Sequence, residues 1–122
     1  MNNVVTPAQV EKRLYDLSKE IDDIQTHMST VEKAYFETKA SYEIELARAR
    51  MTFASKSAPS GKNYTVQERE DLALIQCEDL HFRVASLEAT VRSVRANAMR
   101  VKTQVDIARS IGTSVRSSID AL

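Results

Sequence analysis

Two histidines, one cysteine and two pairs of adjacent carboxylates are the first residues to weigh for chemistry. His27 and His81 stand alone, without Cys/His partners at zinc-ligand spacing. Cys77 falls on the apolar period of a helix, where a small buried hydrophobe is the default and a nucleophile the exception. Asp22/Asp23 and Glu78/Asp79 are chain neighbours, and neighbours on a helix point in different directions. They read as solvated-face residues, not a converging acid–base pair. No Gly-rich phosphate loop and no Ser/His/Asp set accompanies them. The expectation is a protein without catalysis, cofactor or metal.

The cations are more informative. Lys and Arg total 17 against 17 Asp and Glu, so no bulk attraction to nucleic acid or membrane follows. The balance is uneven along the chain. Residues 7–45 carry nine acids against five bases, whereas 92–116 carry six bases against Asp106 alone. Within the latter, Arg95, Lys102, Arg109 and Arg116 recur every seven residues and form one line on a helix. One reading pairs this line with the acidic Glu11, Asp16, Glu20, Asp22 and Asp23 of an opposing helix. The other makes it a stripe that contacts phosphates or another anion.

A second basic group, Arg48, Arg50, Lys56 and Lys62, has no acid within its own span. Six of the seven aromatic residues lie between Tyr35 and Phe82. Interleaved cations and aromatics can hold a single strand by charge and base stacking. Equally, the aromatics can close a small core while the lysines stay solvated.

These residues need elements to position them. Ala73, Cys77, Leu80, Val84, Leu87, Val91, Val94, Ala98, Val101, Val105, Ala108, Gly112, Val115, Ile119 and Leu122 alternate steps of four and three without a slip. That is the heptad of a helix packed along a partner helix. Earlier, Val10, Leu14, Leu17, Ile21, Ile24, Met28, Val31, Tyr35, Thr38 and Tyr42 keep the same spacing. Strict continuation would bury Glu45; taking Leu46, Ala49 and Phe53 instead needs one stutter.

Thr6-Pro7-Ala8-Gln9 and Thr65-Val66-Gln67-Glu68 each carry the signature of a capped helix start. Ser55–Tyr64 holds one of two prolines and one of two glycines, the clearest break. The chain therefore reads as all-α and as one domain over 1–122. A tail covers Met1–Val5, a helix about 7–55, a loop about 56–64 and a second helix about 65–120. Joined antiparallel, the two make a coiled-coil hairpin with arms of about 75 Å. Val10 would then face Ser110, and Val115, Ile119 and Leu122 would outrun the first helix.

Gly112, inside the second helix, costs about 1 kcal/mol relative to Ala and marks a kink, a frayed end or a close helix approach. A further set, Ile75, Phe82, Ala85, Ala89, Ser93, Ala96, Met99, Thr103, Ile107 and Ile111, lies off the seam. It is either a wet Ala-rich face or a second packing face. The second choice makes Val115, Ile119, Leu122, Ala89, Ala96, Ile107 and Ile111 an oligomer interface.

One cysteine excludes an internal disulfide and fits a reducing cytosol. No secretory leader or long apolar run is present, so the expected location is cytoplasmic.

Thr65–Glu70, Gln76–Asp79, Lys102–Arg116 and Tyr42–Arg50 together resemble small helical proteins encoded by bacteriophages of actinobacteria. The likeness covers most of the chain and contains no catalytic motif, so it assigns no site residue. It implies a gene set near early DNA replication and recombination, and a place in the host cytoplasm. The expected function is then a non-enzymatic, oligomeric accessory that binds DNA or a DNA-processing protein. The alternative is a structural or inhibitory module that binds a host or phage protein without nucleic acid.

Overall fold

A computed structural model describes residues 4–122. It is all-helical, with α1 (Pro7–Ser55), α2 (Val66–Gln76) and α3 (Glu78–Asp120), and no strand occurs among the described residues. Of the tail expected over Met1–Val5, Met1–Asn3 lie outside the described residues. No helix among the described residues is long and apolar enough to cross a membrane.

Both caps form as their residue types dictate. The Thr6 N–H donates to Gln9 Oε1 at 2.9 Å, and the Gln9 N–H donates to Thr6 Oγ1 at 3.3 Å. At α2 the reciprocal pair is Thr65 N–H to Glu68 Oε1, 3.2 Å, and Glu68 N–H to Thr65 Oγ1, 3.1 Å. Each box satisfies donors that a helix start leaves orphaned.

Between α1 and α2 the chain reverses in a small hairpin. Ala58 N–H donates to Lys62 O and Gly61 N–H to Ala58 O, both at 2.8 Å, and Ser57 and Asn63 form an isolated antiparallel bridge. Pro59 pre-sets one turn residue, and Gly61 takes φ +81°, the left-handed region that glycine enters without strain.

The second helix departs from expectation in one place. It is two helices, separated at Cys77, whose φ −101° and ψ 17° leave the helical well. The Cys77 N–H is shared between the carbonyls of Ala73 (3.1 Å) and Leu74 (3.2 Å), a local tightening of the turn. The apolar period runs through this point undisturbed, so it carries no trace in the heptad.

The chain divides into two compact units. The first joins the chain up to Ser29 with Arg92–Leu122. Its helices run antiparallel: Arg13 donates to Gln104 (3.4 Å) and Arg100 meets Glu20 (3.5 Å). Leu17, Ile24, Val94, Val101 and Ala108 form the core, with Leu14, Ile21, Met28, Ala98 and Val105 packed around it. Leu17 and Val101 are fully buried.

Gly112 settles its role here. A Cβ built on it would lie 3.0 Å from Val10 Cγ1. The helix continues through it, so close approach is the reason for glycine, and Val10 meets Gly112 where Ser110 was expected.

The second unit is Thr30–Val91. Leu46, Ala49, Ala73 and Cys77 form its core, flanked by Tyr42 and Phe53. Leu46 is buried while Glu45 is exposed, so the heptad stutters as read. Small residues at Ala49 and Ala73 let the helices approach, and aromatic rings fill the ends. Phe53 and Tyr64 pack edge to face at 6.0 Å, and Tyr42 lies 5.6 Å from the His81 ring.

Candidate binding site

The two basic groups end in different environments, set by where the heptad places carboxylates. In the second unit, Arg48 turns back one turn to Glu45 at 2.7 Å, and Arg50 crosses to Glu70 at 2.8 Å. The sequence span 48–62 lacks an acid, but the helix and the antiparallel pairing each bring one in from outside it. Lys56 lies 5.7 Å over the Phe53 ring. Among the described residues, Lys62 alone in this group has neither a carboxylate within salt-bridge distance nor a ring beneath its ammonium. The neighbouring aromatics pack on one another and on His81, as a closing core does.

In the first unit the seven-residue line is exposed throughout: Arg95, Lys102, Arg109 and Arg116. Among the described residues, no carboxylate lies within salt-bridge distance of Lys102, Arg109 or Arg116. The expected pairing with Glu11, Asp16, Asp22 and Asp23 therefore does not form for these three. The reason is rotational. Counted from the buried Leu17 and Ile24, the seam-flanking positions on this side are Glu11, Ser18 and Gln25, and two of the three are neutral. Asp16, Asp22 and Asp23 lie further out on the exposed surface. The fifth expected acid, Glu20, flanks the other side and takes Arg100, a residue outside the line.

Beside this line opens a predominantly apolar groove of about 520 Å³. Ile21, Ile24 and Met28 of α1 and Ala98 of α3 form its floor, while Gln25, Arg95, Met99 and Lys102 stand at its exposed rim. Gln25 lines this groove and is exposed. Sequence reading missed it: Met99 was assigned to a second face, and nothing in the heptad signals that the flank stays open. The neutral Ser18 and Gln25 at the flank positions facing the cation line were the available clue.

A second groove, about 620 Å³, lies at the ends of α1 and α3 in the same unit. Val4 and Val5 line one side, and Val115, Ile119 and Leu122 the other. Val115 is half-buried, Ile119 is 49% exposed and Leu122 is fully exposed. The remaining interface candidates, Ala96, Ile107 and Ile111 in this unit and Ala89 in the other, are exposed as well.

Of the residues first weighed for chemistry, Cys77 is buried in the second unit's core with a free thiol. His81 Nδ1 lies 3.3 Å from the Tyr42 hydroxyl, and His27 is exposed. Asp22, Asp23, Glu78 and Asp79 are exposed. No group of three or more His, Cys, Asp or Glu that could hold a metal forms among the described residues. Comparison with protein-family models, with curated proteins and with solved structures returns no match to this chain.

Proposed function

We propose that this protein is a non-enzymatic helical binding protein that self-associates and engages an anionic partner along Lys102, Arg109 and Arg116. The observation that carries the reading is that row: three exposed cations at heptad spacing, none of which forms a salt bridge among the described residues. A cation line that neutralised itself within the chain would not call for a partner. The hairpin reading is supported by antiparallel contacts within each unit, from Arg13–Gln104 in one to Arg50–Glu70 in the other. Self-association is supported by the apolar end at Val115, Ile119 and Leu122, large side chains whose exposure costs free energy in water.

In the setting that the phage resemblance implies, the anionic partner is DNA or an acidic surface of a replication or recombination protein. The tip group Arg48, Arg50, Lys56 and Lys62 contributes less than the α3 row, because its arginines already hold carboxylates. A mobility-shift titration with single- and double-stranded DNA, and with an acidic protein, tests the reading across a salt series. Binding to at least one of them should weaken as salt rises. It should weaken further when Lys102, Arg109 and Arg116 become Ala, and change little when the tip residues do. Absence of binding at low salt to every anion tried overturns the anionic partner. Light scattering tests self-association, and a monomeric mass removes it.

The alternative, a structural or inhibitory module without a nucleic-acid partner, is favoured by the same exposed end. A chain truncated after Ser110 that keeps both its oligomeric mass and its protein partner removes that alternative.

A further inference from the structure

The row of cations and the groove beside it share one flank of the first unit, and together they narrow what the anion is. We propose that this flank receives an acidic amphipathic helix of another protein, laid along α3 as a third helix. The inference rests on the anionic-partner reading above and specifies that partner's chemistry.

The repeat is the first argument. Lys102, Arg109 and Arg116 are seven residues apart, about 10.5 Å along a helix at 1.5 Å per residue. A partner helix in heptad register presents its flanking carboxylates at the same interval, so one straight helix can match all three at once. The phosphates of one DNA strand wind around the duplex axis, so a straight row of cations does not stay beside one strand as it does beside a straight partner helix.

The second argument is the groove. Its floor of Ile21, Ile24, Met28 and Ala98 is apolar, and Met99, 64% exposed, stands at its rim. A phosphate backbone brings nothing to fill that floor. An amphipathic helix brings a leucine-type side chain flanked by its acids, which is how helices dock in grooves. Methionine suits such a surface because its unbranched chain adapts to an incoming side chain.

A second copy of this chain fits less well. In a two-fold contact of two copies along this row, Lys102, Arg109 and Arg116 of one copy would face the same cations of the other.

The test uses the full chain and a labelled helical peptide with Leu at core heptad positions and Glu at flanking ones. Its controls are a scrambled peptide of the same composition, inorganic polyphosphate and duplex DNA, all read by fluorescence anisotropy. The heptad peptide should bind more tightly than the scrambled one and lose affinity as salt rises. The double variant Lys102→Glu/Arg109→Glu should weaken it by at least about tenfold. Met99→Gln should weaken the heptad peptide several-fold and leave polyphosphate unchanged. All three sites are exposed, and circular dichroism confirms that the variants keep their helices.

Equal binding of the heptad and scrambled peptides, or indifference to Met99→Gln, overturns the helix while the anionic-partner reading stands. Duplex DNA binding more tightly than the peptide does the same in favour of nucleic acid. Self-association that is lost in the double variant without any peptide assigns the flank to a second copy and overturns the proposal. Failure of every probe to bind removes both readings.

Discussion

The two units bury their seams with different mixes of side chains. The first fills its core with branched aliphatics, Leu17, Ile24, Val94 and Val101, on an unbroken heptad. The second brings Ala49 and Ala73 into its core and closes the ends with Tyr42, Phe53 and Tyr64. Their charges divide the same way. In the second unit Arg48 and Arg50 are held by Glu45 and Glu70. In the first, Lys102, Arg109 and Arg116 form no salt bridge among the described residues. The stretch with the strictest apolar repeat is thus the one with cations and a groove to spare. A strict heptad specifies the seam alone and leaves its flanks open to other uses.

If the first unit depends on large knobs, shrinking one should hurt most. Leu17→Ala should cost about 2–5 kcal/mol, because a fully buried leucine leaves a cavity as well as losing transfer energy. Urea unfolding followed by circular dichroism measures it, and a cost under 1 kcal/mol would erase the contrast. The second unit should instead resist enlargement. Ala73→Leu inserts bulk at a fully buried position and should cost about 1–3 kcal/mol by the same assay. A stabilised variant would show that the small residues leave room there.

The cap that starts α2 comes next. Thr65→Ala removes the acceptor of the Glu68 N–H and should cost about 1 kcal/mol. Hydrogen exchange should place the loss in the first turn of α2; protection unchanged there would refute the assignment.

Smaller still is the Arg50–Glu70 pair, whose side chains are 46% and 40% exposed. A double-mutant cycle should give a coupling of about 0.2–1 kcal/mol that shrinks in high salt. The smallest net effect belongs to Gly112→Ala. A helix-propensity gain of up to about 1 kcal/mol opposes the contact of the new Cβ with Val10 Cγ1. The single variant should sit near neutrality, and the gain should emerge when Val10→Ala is added. A gain of equal size in both backgrounds would mean that Val10 does not constrain Gly112.

Much of the fold was legible from pattern. The limits of α1 follow from the Thr6 box and the Ser55–Tyr64 break, because caps and turns are local chemistry. Buried Leu46 beside exposed Glu45 follows from hydrophobicity alone. The break at Cys77 was not legible, since neither a proline nor a glycine marks it and the apolar period does not register a shared N–H. The site was legible only in part. The cation line was visible as a spacing, whereas its freedom depended on the rotation of the facing helix. Charge content had suggested acids opposite the line. The heptad put Ser18 and Gln25 there instead, with Asp16 and Asp22 further out.

Helix existence, capping, the loop and the burial period were therefore determined by the sequence itself, because each is decided within a few residues or by one apolar stripe. Tertiary structure decided which cations found carboxylates, why position 112 is glycine and where the groove opens. Those outcomes turn on the azimuth and separation of two packed helices, on the scale of single ångströms, and a one-dimensional pattern does not encode them.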